Sequence, residues 1–157
     1  MRIGKKKNKR LAPVARFLGS AWYWDNRASR IVNDIKRLRS RAEKMTASYS
    51  QAPVNAGFED SRQSAMDRMV DKQREYEAAR QECEKRLQEI QLCISLLDSF
   101  VERTVCEYRY LSYWGWQEIG IALNYSSSAL EKINDAALEN VLKINEELIA
   151  KSGKGFF

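Results

Sequence analysis

Hydrophobic residues recur at steps of three and four along most of the chain, a spacing typical of α-helices that pack on one face. Within residues 13–49 the recurring apolar positions are Leu18, Trp22, Ile31, Ile35, Leu38, Ala42 and Met45. Arginine and lysine occupy much of the remaining surface of this segment. The pattern therefore predicts a first long helix with an apolar face and a basic face.

A second, longer repeat follows residues 50–60, where proline and glycine interrupt the period and predict a linker. Its positions form a heptad-like seam at Met69, Gln73, Tyr76, Arg80, Cys83, Leu87, Ile90, Ile94, Leu97, Val101 and Tyr108. Uninterrupted from residue 61 to Tyr108, this helix would be about 70 Å long at ~1.5 Å per residue. The two repeats predict an all-α, elongated molecule whose residues 13–107 form a long antiparallel, coiled-coil-like helical hairpin. The apolar stripe that one partner helix leaves uncovered predicts a homodimer.

A third pattern, in residues 111–142, predicts two helices joined by a tight turn. Gly120 lies where the two helices would cross, Asn124 suits a left-handed turn and Ser126 suits the cap of the next helix. With residues 100–111 as a preceding helix, the interval predicts a helix-turn-helix domain over residues 100–157. Its framework positions are Trp116, Ile119, Gly120, Leu123, Asn124, Ser126, Leu130 and Ile133. An ordinary helical hairpin is the simpler alternative.

Composition narrows the chemistry that is open to the chain. The 157 residues include no histidine, which removes Ser-His and Cys-His catalysis and the usual zinc ligand sets. The three cysteines lie within helical patterns without CxxC spacing, so they are expected to be small buried hydrophobes of a reducing compartment. We therefore expect no enzyme, no metal and no cofactor. Because neither a long apolar run nor a signal peptide is evident, we expect a cytoplasmic protein and no membrane partner.

The net charge of +6 is distributed unevenly along the chain. Residues 1–46 contain 14 Lys and Arg and 3 acidic residues, whereas residues 47–157 contain 13 and 18. Residues 1–12 are basic and nearly devoid of apolar side chains, which predicts a flexible arm that lies along phosphates or only aids solubility. The candidate DNA-backbone contacts are Lys5, Lys6, Lys7, Lys9, Arg10, Arg16, Arg27 and Arg30. The neighbouring Trp22, Tyr23 and Trp24 could stack on bases or pack against a partner helix.

The segment YRYLSYWGWQEIGIALNYSSSALEKINDAALENVL is similar to the C-terminal unit of Gram-positive phage regulators of the ArpU/RinA-like group, a relative of sigma-factor region four. The upstream FLGSAWYWDNRASRIVNDIKRLRSRAEKM, followed by APVNAG, resembles the paired-helix front of the same group, so the resemblance covers residues 14–142. It implies a sequence-specific DNA-binding activator of late phage genes that contacts promoter DNA and RNA polymerase in a bacterial host. The family framework is matched at Trp116, Ile119, Gly120, Leu123, Tyr125, Ser126, Leu130, Ile133, Ala137 and Leu138.

The groove-facing positions depart from the family pattern. Ser127 and Ser128 stand where the family tends to be basic, and Asn134 stands where it tends to have histidine. Residues 100–150 carry four basic and eight acidic side chains, which opposes the approach of phosphates. The side chains expected to face bases are Ser127, Ser128, Glu131, Lys132, Asn134 and Asp135. The electrostatic attraction to DNA would then have to come from the arm and the first helix.

Two classes of function follow. In the first, a dimeric transcription regulator inserts the helix that begins at Ser127 into the major groove of double-stranded DNA. In the second, the protein is an interaction module that binds or inhibits a host protein through a helix-turn-helix no longer specialised for DNA. A DNA-packaging role resembling that of a small terminase also fits a helical, oligomeric DNA binder.

Overall fold

The structure, a computed structural model, describes residues 5–49 and 56–157, and every regular element in these ranges is helical. The elements are α1 (Lys5–Leu18), α2 (Ser20–Tyr49), α3 (Ala56–Ser95), α4 (Phe100–Cys106), a π-helical turn (Glu107–Leu111), α5 (Trp116–Leu123) and α6 (Ser127–Ser152). The all-α prediction is confirmed. None of these helices is long and apolar enough to cross a membrane.

The front of the chain differs from the predicted flexible arm. Residues 1–4 lie outside the described residues, but α1 begins at Lys5, and Leu11 and Val14 are buried. Residues 5–12 are therefore helical, and Leu11 packs with Val14 and Phe17 in a core, which the sequence pattern did not predict. The predicted linker is also too long, since α3 already begins at Ala56.

The single helix predicted from residue 61 to Tyr108 is interrupted after Ser95. The Ser95 hydroxyl donates to the Leu92 carbonyl at 2.6 Å, and the Ser99 side chain accepts from the Glu102 N–H at 3.3 Å as the cap of α4. The Arg103 guanidinium donates to the Leu97 carbonyl at 2.6 Å. Serine hydroxyls that bond to nearby backbone compete with a continuous helix, and the apolar period alone did not reveal this break.

The chain divides into two compact units. Unit 1 contains the described residues up to Tyr23 together with Cys83–Phe157, and unit 2 is Trp24–Glu82. The division cuts across the predicted domains, because the basic front of the chain belongs with the C-terminal helices. Helices α2 and α3 contribute residues to both units.

Unit 1 has a large apolar core to which α1, α2, α3, α4 and α6 contribute. Its buried members are Leu11, Val14, Phe17, Leu18, Ala21, Ile90, Cys93, Ile94, Leu97, Cys106, Ala137, Leu138 and Val141. Much of the strongly apolar second half of the predicted seam thus packs within its own chain. Burial raises the pKa of the Cys93 and Cys106 thiols to about 12, with Glu102 adding to the shift at Cys106.

Unit 2 has a much smaller core. Its cluster of buried residues is Ala28, Ile31 and Ala79, with Trp24, Ile35 and Tyr76 partly buried around it. The Asp25 carboxylate accepts from Arg80 at 3.0 Å, and Lys72 Nζ lies 3.9 Å from Asp34 Oδ2. Residues with higher numbers on α2 are therefore paired with residues with lower numbers on α3.

Candidate nucleic-acid interface

The connection between α5 and α6 has the local geometry that the sequence predicted. Asn124 ends α5 in the left-handed region at φ 55° and ψ 44°, and its N–H is directed at the Gly120 and Ile121 carbonyls. Ser126 has an extended backbone, and its hydroxyl oxygen accepts from the Ala129 N–H at 3.2 Å to cap α6. The predictions for Asn124 and Ser126 are confirmed, because each rests on a residue type whose own backbone or side-chain preference forms the turn.

The predicted apolar framework residues lie together in one cluster of unit 1. Val105, Ile119 and Leu130 are buried at its centre, surrounded by Tyr108, Trp116, Leu123 and Ile133. A methyl group at Gly120 would lie 3.0 Å from the Tyr125 carbonyl oxygen and 3.4 Å from Leu130 Cδ1. A side chain at Gly120 would therefore crowd the Tyr125 backbone in the connection and Leu130 of α6, and glycine relieves this crowding.

The face of α6 next to the turn carries most of the predicted base-contacting residues. Ser127, Ser128 and Lys132 are exposed, and Glu131 and Asp135 are partly exposed. The prediction for Asn134 is wrong, because only 6% of this residue is exposed and its carbonyl oxygen accepts from the Tyr110 hydroxyl at 3.1 Å. Asn134 is therefore part of the interior of unit 1. Burial also raises the pKa of its partner Tyr110.

Two polar contacts hold the opposite side of α6. Asn140 donates to the Glu102 carboxylate of α4 at 2.8 Å. Near the end of α6 the buried Asn145 accepts from the Phe156 N–H and donates to the Phe157 carbonyl. The rings of Phe156 and Phe157 in turn lie 5.5 and 5.2 Å from that of Phe17 on α1. These contacts fix the orientation of α6 and hence of its exposed face.

The predicted backbone-contacting residues separate into two groups. Lys9, Arg10 and Arg16 are exposed on α1 in unit 1, whereas Arg27 and Arg30 are exposed on α2 in unit 2. The side chains of Lys5, Lys6 and Lys7 lie outside the described residues. The Arg27 guanidinium lies 5.4 Å from the Trp24 ring centroid, in a cation–π contact.

An ion pair places the basic helix α1 next to α6. The Arg10 guanidinium donates to the Glu139 carboxylate of α6, and Leu11 and Val14 share the core with Leu138 and Val141. Glu139 follows Lys132 and Asp135 at steps of three and four residues, so it continues the face that starts at Ser128. Sequence reasoning missed this pairing, because nothing local links residue 10 to residue 139.

The basic front offsets the acidic charge of unit 1. Residues 83–157 contain 8 Lys and Arg and 11 acidic residues, a net −3. Residues 9–23, whose side chains the structure describes, contain three basic residues (Lys9, Arg10 and Arg16) and no acidic one. These three cations balance the acidic excess of the C-terminal part within the same compact unit.

The part of the chain that the structure describes holds no cluster of three or more potential metal ligands. A scan against protein-family models and searches of curated proteins and of solved structures found no match to this chain.

Proposed function

We propose that this chain is a sequence-specific DNA-binding regulator of transcription, of the phage late-gene activator type that its sequence resembles. In this proposal α5 and α6 form a helix-turn-helix over the π-helical turn and α4, and α2 and α3 form an antiparallel hairpin. The observation that carries the proposal is the packing of the basic helix α1 against α6 in unit 1. It supplies cations beside a face that is itself poor in them.

The exposed face of α6 offers hydrogen-bonding groups suited to base edges. Ser127 and Ser128 can donate to or accept from several bases, and Glu131 can accept from the amino group of cytosine. Lys132 can donate to guanine. This face would enter the major groove, as the second helix of a helix-turn-helix does.

Phosphate contacts would come from α1 and from the arginines of α2. Each neutralised phosphate releases counterions, so the binding constant falls with salt at a slope of about −0.9 per contact on a logarithmic scale. Lys9 and Arg16 are exposed on α1, and Arg10 already contacts Glu139. Deleting residues 1–12 would remove the buried Leu11 together with the basic side chains. Such a deletion would not separate the effect of lost charge from the effect of lost core packing, so point substitutions are the better test.

The test is a binding-site selection followed by salt titrations with the selected duplex. Lys9→Gln together with Arg16→Gln should weaken binding on all sequences and reduce the salt slope by about 2. Ser128→Ala should instead weaken binding to the selected site and leave random DNA unaffected. Lys151→Gln, at an exposed position in the last turn of α6, is the matched control. Selection that enriches no sequence would count against the proposal.

A protein partner is the second candidate, and exposed apolar side chains favour it. Ile121 on the outer side of α5 is 78% exposed, and Leu92, Leu96 and Phe100 are exposed around the end of α3. RNA polymerase is the partner expected for an activator, and another host protein is expected for an inhibitor. If the protein is an activator that contacts RNA polymerase, Ile121→Ser should abolish activation without changing DNA affinity. If the protein instead inhibits another host protein, it should bind no duplex at all.

We also propose that the protein acts as a homodimer in the cytoplasm of a bacterial host. Unit 2 leaves Met66 and Val70 of α3 about half exposed, beside a core of only three buried residues among those described. A second copy would cover this face as a further helical layer. Light scattering on the intact chain and on Val70→Lys tests this, since the charge should convert a dimer into a monomer.

A further inference from the structure

A small open cavity lies in unit 1, apart from the exposed face of α6. Its volume is about 210 Å³, and it is lined by Gly19, Trp22, Arg109 and Tyr113. The lining therefore combines two aromatic rings with a guanidinium group and includes no acidic residue. The regulator proposed above does not use this cavity.

Two backbone departures lie in the segment that supplies Arg109 and Tyr113 to the cavity. The chain forms a π-helical turn over Glu107–Leu111, and Tyr113 has φ 61°, an outlier for a bulky residue. The Trp114 N–H donates to the Tyr108 carbonyl at 2.9 Å and closes this loop. Such departures cost free energy, and they concentrate at functional sites. Here they set the positions of Arg109 and Tyr113.

The orientation of the arginine is fixed before any ligand binds. Arg109 Nη1 donates to the Trp114 carbonyl at 2.9 Å, and the guanidinium carbon lies 5.0 Å from the Trp116 ring centroid. That bond uses one of the five N–H groups of a guanidinium. Trp22, which also lines the cavity, is 57% exposed, so much of its surface is open to solvent.

We propose that this cavity binds a single unpaired nucleobase of a DNA strand, an inference that rests on the DNA-binding function proposed above. The base stacks on Trp22 and Tyr113, and Arg109 donates to the adjacent phosphate or to the base edge. A nucleobase fits better than an apolar protein side chain, because a cationic cavity without acids complements the phosphates on either side of a base.

The experiment compares three fluorescently labelled DNA probes with the intact protein. They are a paired duplex, the same duplex with one bulged adenine, and a short single strand. The bulged duplex should bind about tenfold more tightly than the paired one, because stacking of one base on an aromatic ring contributes ~1–3 kcal/mol. Trp22→Leu should remove this preference and leave paired-duplex affinity unchanged. Tyr23→Leu, at a neighbouring residue of similar exposure that does not line the cavity, should retain it.

The outcomes separate this proposal from the proposed function. Equal affinity for bulged and paired duplexes, or an equal loss in Tyr23→Leu, would overturn the cavity assignment and leave the regulator in place. Trp22-dependent binding of the single strand without any duplex binding would support the cavity and overturn the regulator. Competition by deoxyadenosine monophosphate as strong as that by the single strand would overturn the assignment to a DNA strand.

Discussion

Units 1 and 2 are built from similar amphipathic helices, but they differ greatly in what they bury. Unit 1 contains a cluster of thirteen buried residues and a second of three, whereas the described part of unit 2 contains one cluster of three, two of them alanine. In unit 1 several helices meet, whereas the described part of unit 2 consists of α2 and α3. Helical periodicity thus gives the apolar faces, but the number of neighbouring layers decides how completely each face is buried.

The largest expected difference between the units is their response to alkaline pH. The Cys93 and Cys106 thiols stay protonated in folded unit 1 up to a pKa of about 12, whereas they ionise near 9.0 when unfolded. Because unfolding then releases protons, the free energy of unfolding of unit 1 should fall between about pH 9 and pH 12. The loss should be ~1.4 kcal/mol per pH unit for each thiol. Unit 2 contains no cysteine.

Urea unfolding at pH 8, 9.5 and 11 measures the pH dependence of the unfolding free energy, and Cys93→Ala should make that dependence less steep. An unfolding free energy that is constant over this range would contradict it.

Truncating one buried isoleucine in each unit tests the difference in core size directly. Ile94→Ala should destabilise unit 1 by about 4 kcal/mol, because the surrounding side chains leave a cavity that cannot collapse. Ile31→Ala should destabilise unit 2 by about 2 kcal/mol, since its few, partly exposed neighbours can close over the space. Urea unfolding of both variants gives the comparison. Equal losses would mean that unit 2 is packed as tightly as unit 1.

Glycine-to-alanine substitutions should have opposite effects in the two units. Gly120→Ala should destabilise unit 1 by ~1–3 kcal/mol, because the new methyl group meets the Tyr125 carbonyl. Gly57→Ala in α3 meets nothing within 4 Å and should stabilise unit 2 by up to ~1 kcal/mol through helix propensity. Thermal unfolding of the two variants shows the signs. Tolerance of alanine at position 120 would show that α5 and α6 can separate at little cost.

The smallest effect is expected at the surface of unit 2. The Asp25–Arg80 pair spans α2 and α3 at 3.0 Å with both side chains substantially exposed. Arg80→Gln should therefore change the free energy of unfolding by less than ~1 kcal/mol, and less still at high salt. Chemical unfolding at low and high ionic strength provides the measurement. A larger, salt-independent loss would show that the pair is shielded from solvent, for instance by a second copy.

The candidate interface was predictable where one residue type decides its own neighbourhood. Asn124 and Ser126 form the predicted turn and cap, and the apolar spacing around Ile119 and Leu130 correctly anticipated one cluster. Asn134 was wrongly predicted to contact bases. It is polar and lies next to exposed positions of α6, and nothing in the sequence near it indicates that its side chain is buried with a hydrogen-bond partner. That partner, Tyr110, lies on another element.

The sequence by itself determined that the chain is helical, where the tight turn lies and that the positive charge is concentrated at the front. These properties follow from side-chain spacing, backbone preference and composition, which act within a few residues. Only the tertiary structure decided that α1 packs in unit 1 beside α6 and that a cavity forms around Arg109. Each of these depends on contacts between residues far apart in the chain, and such contacts leave no periodic signal.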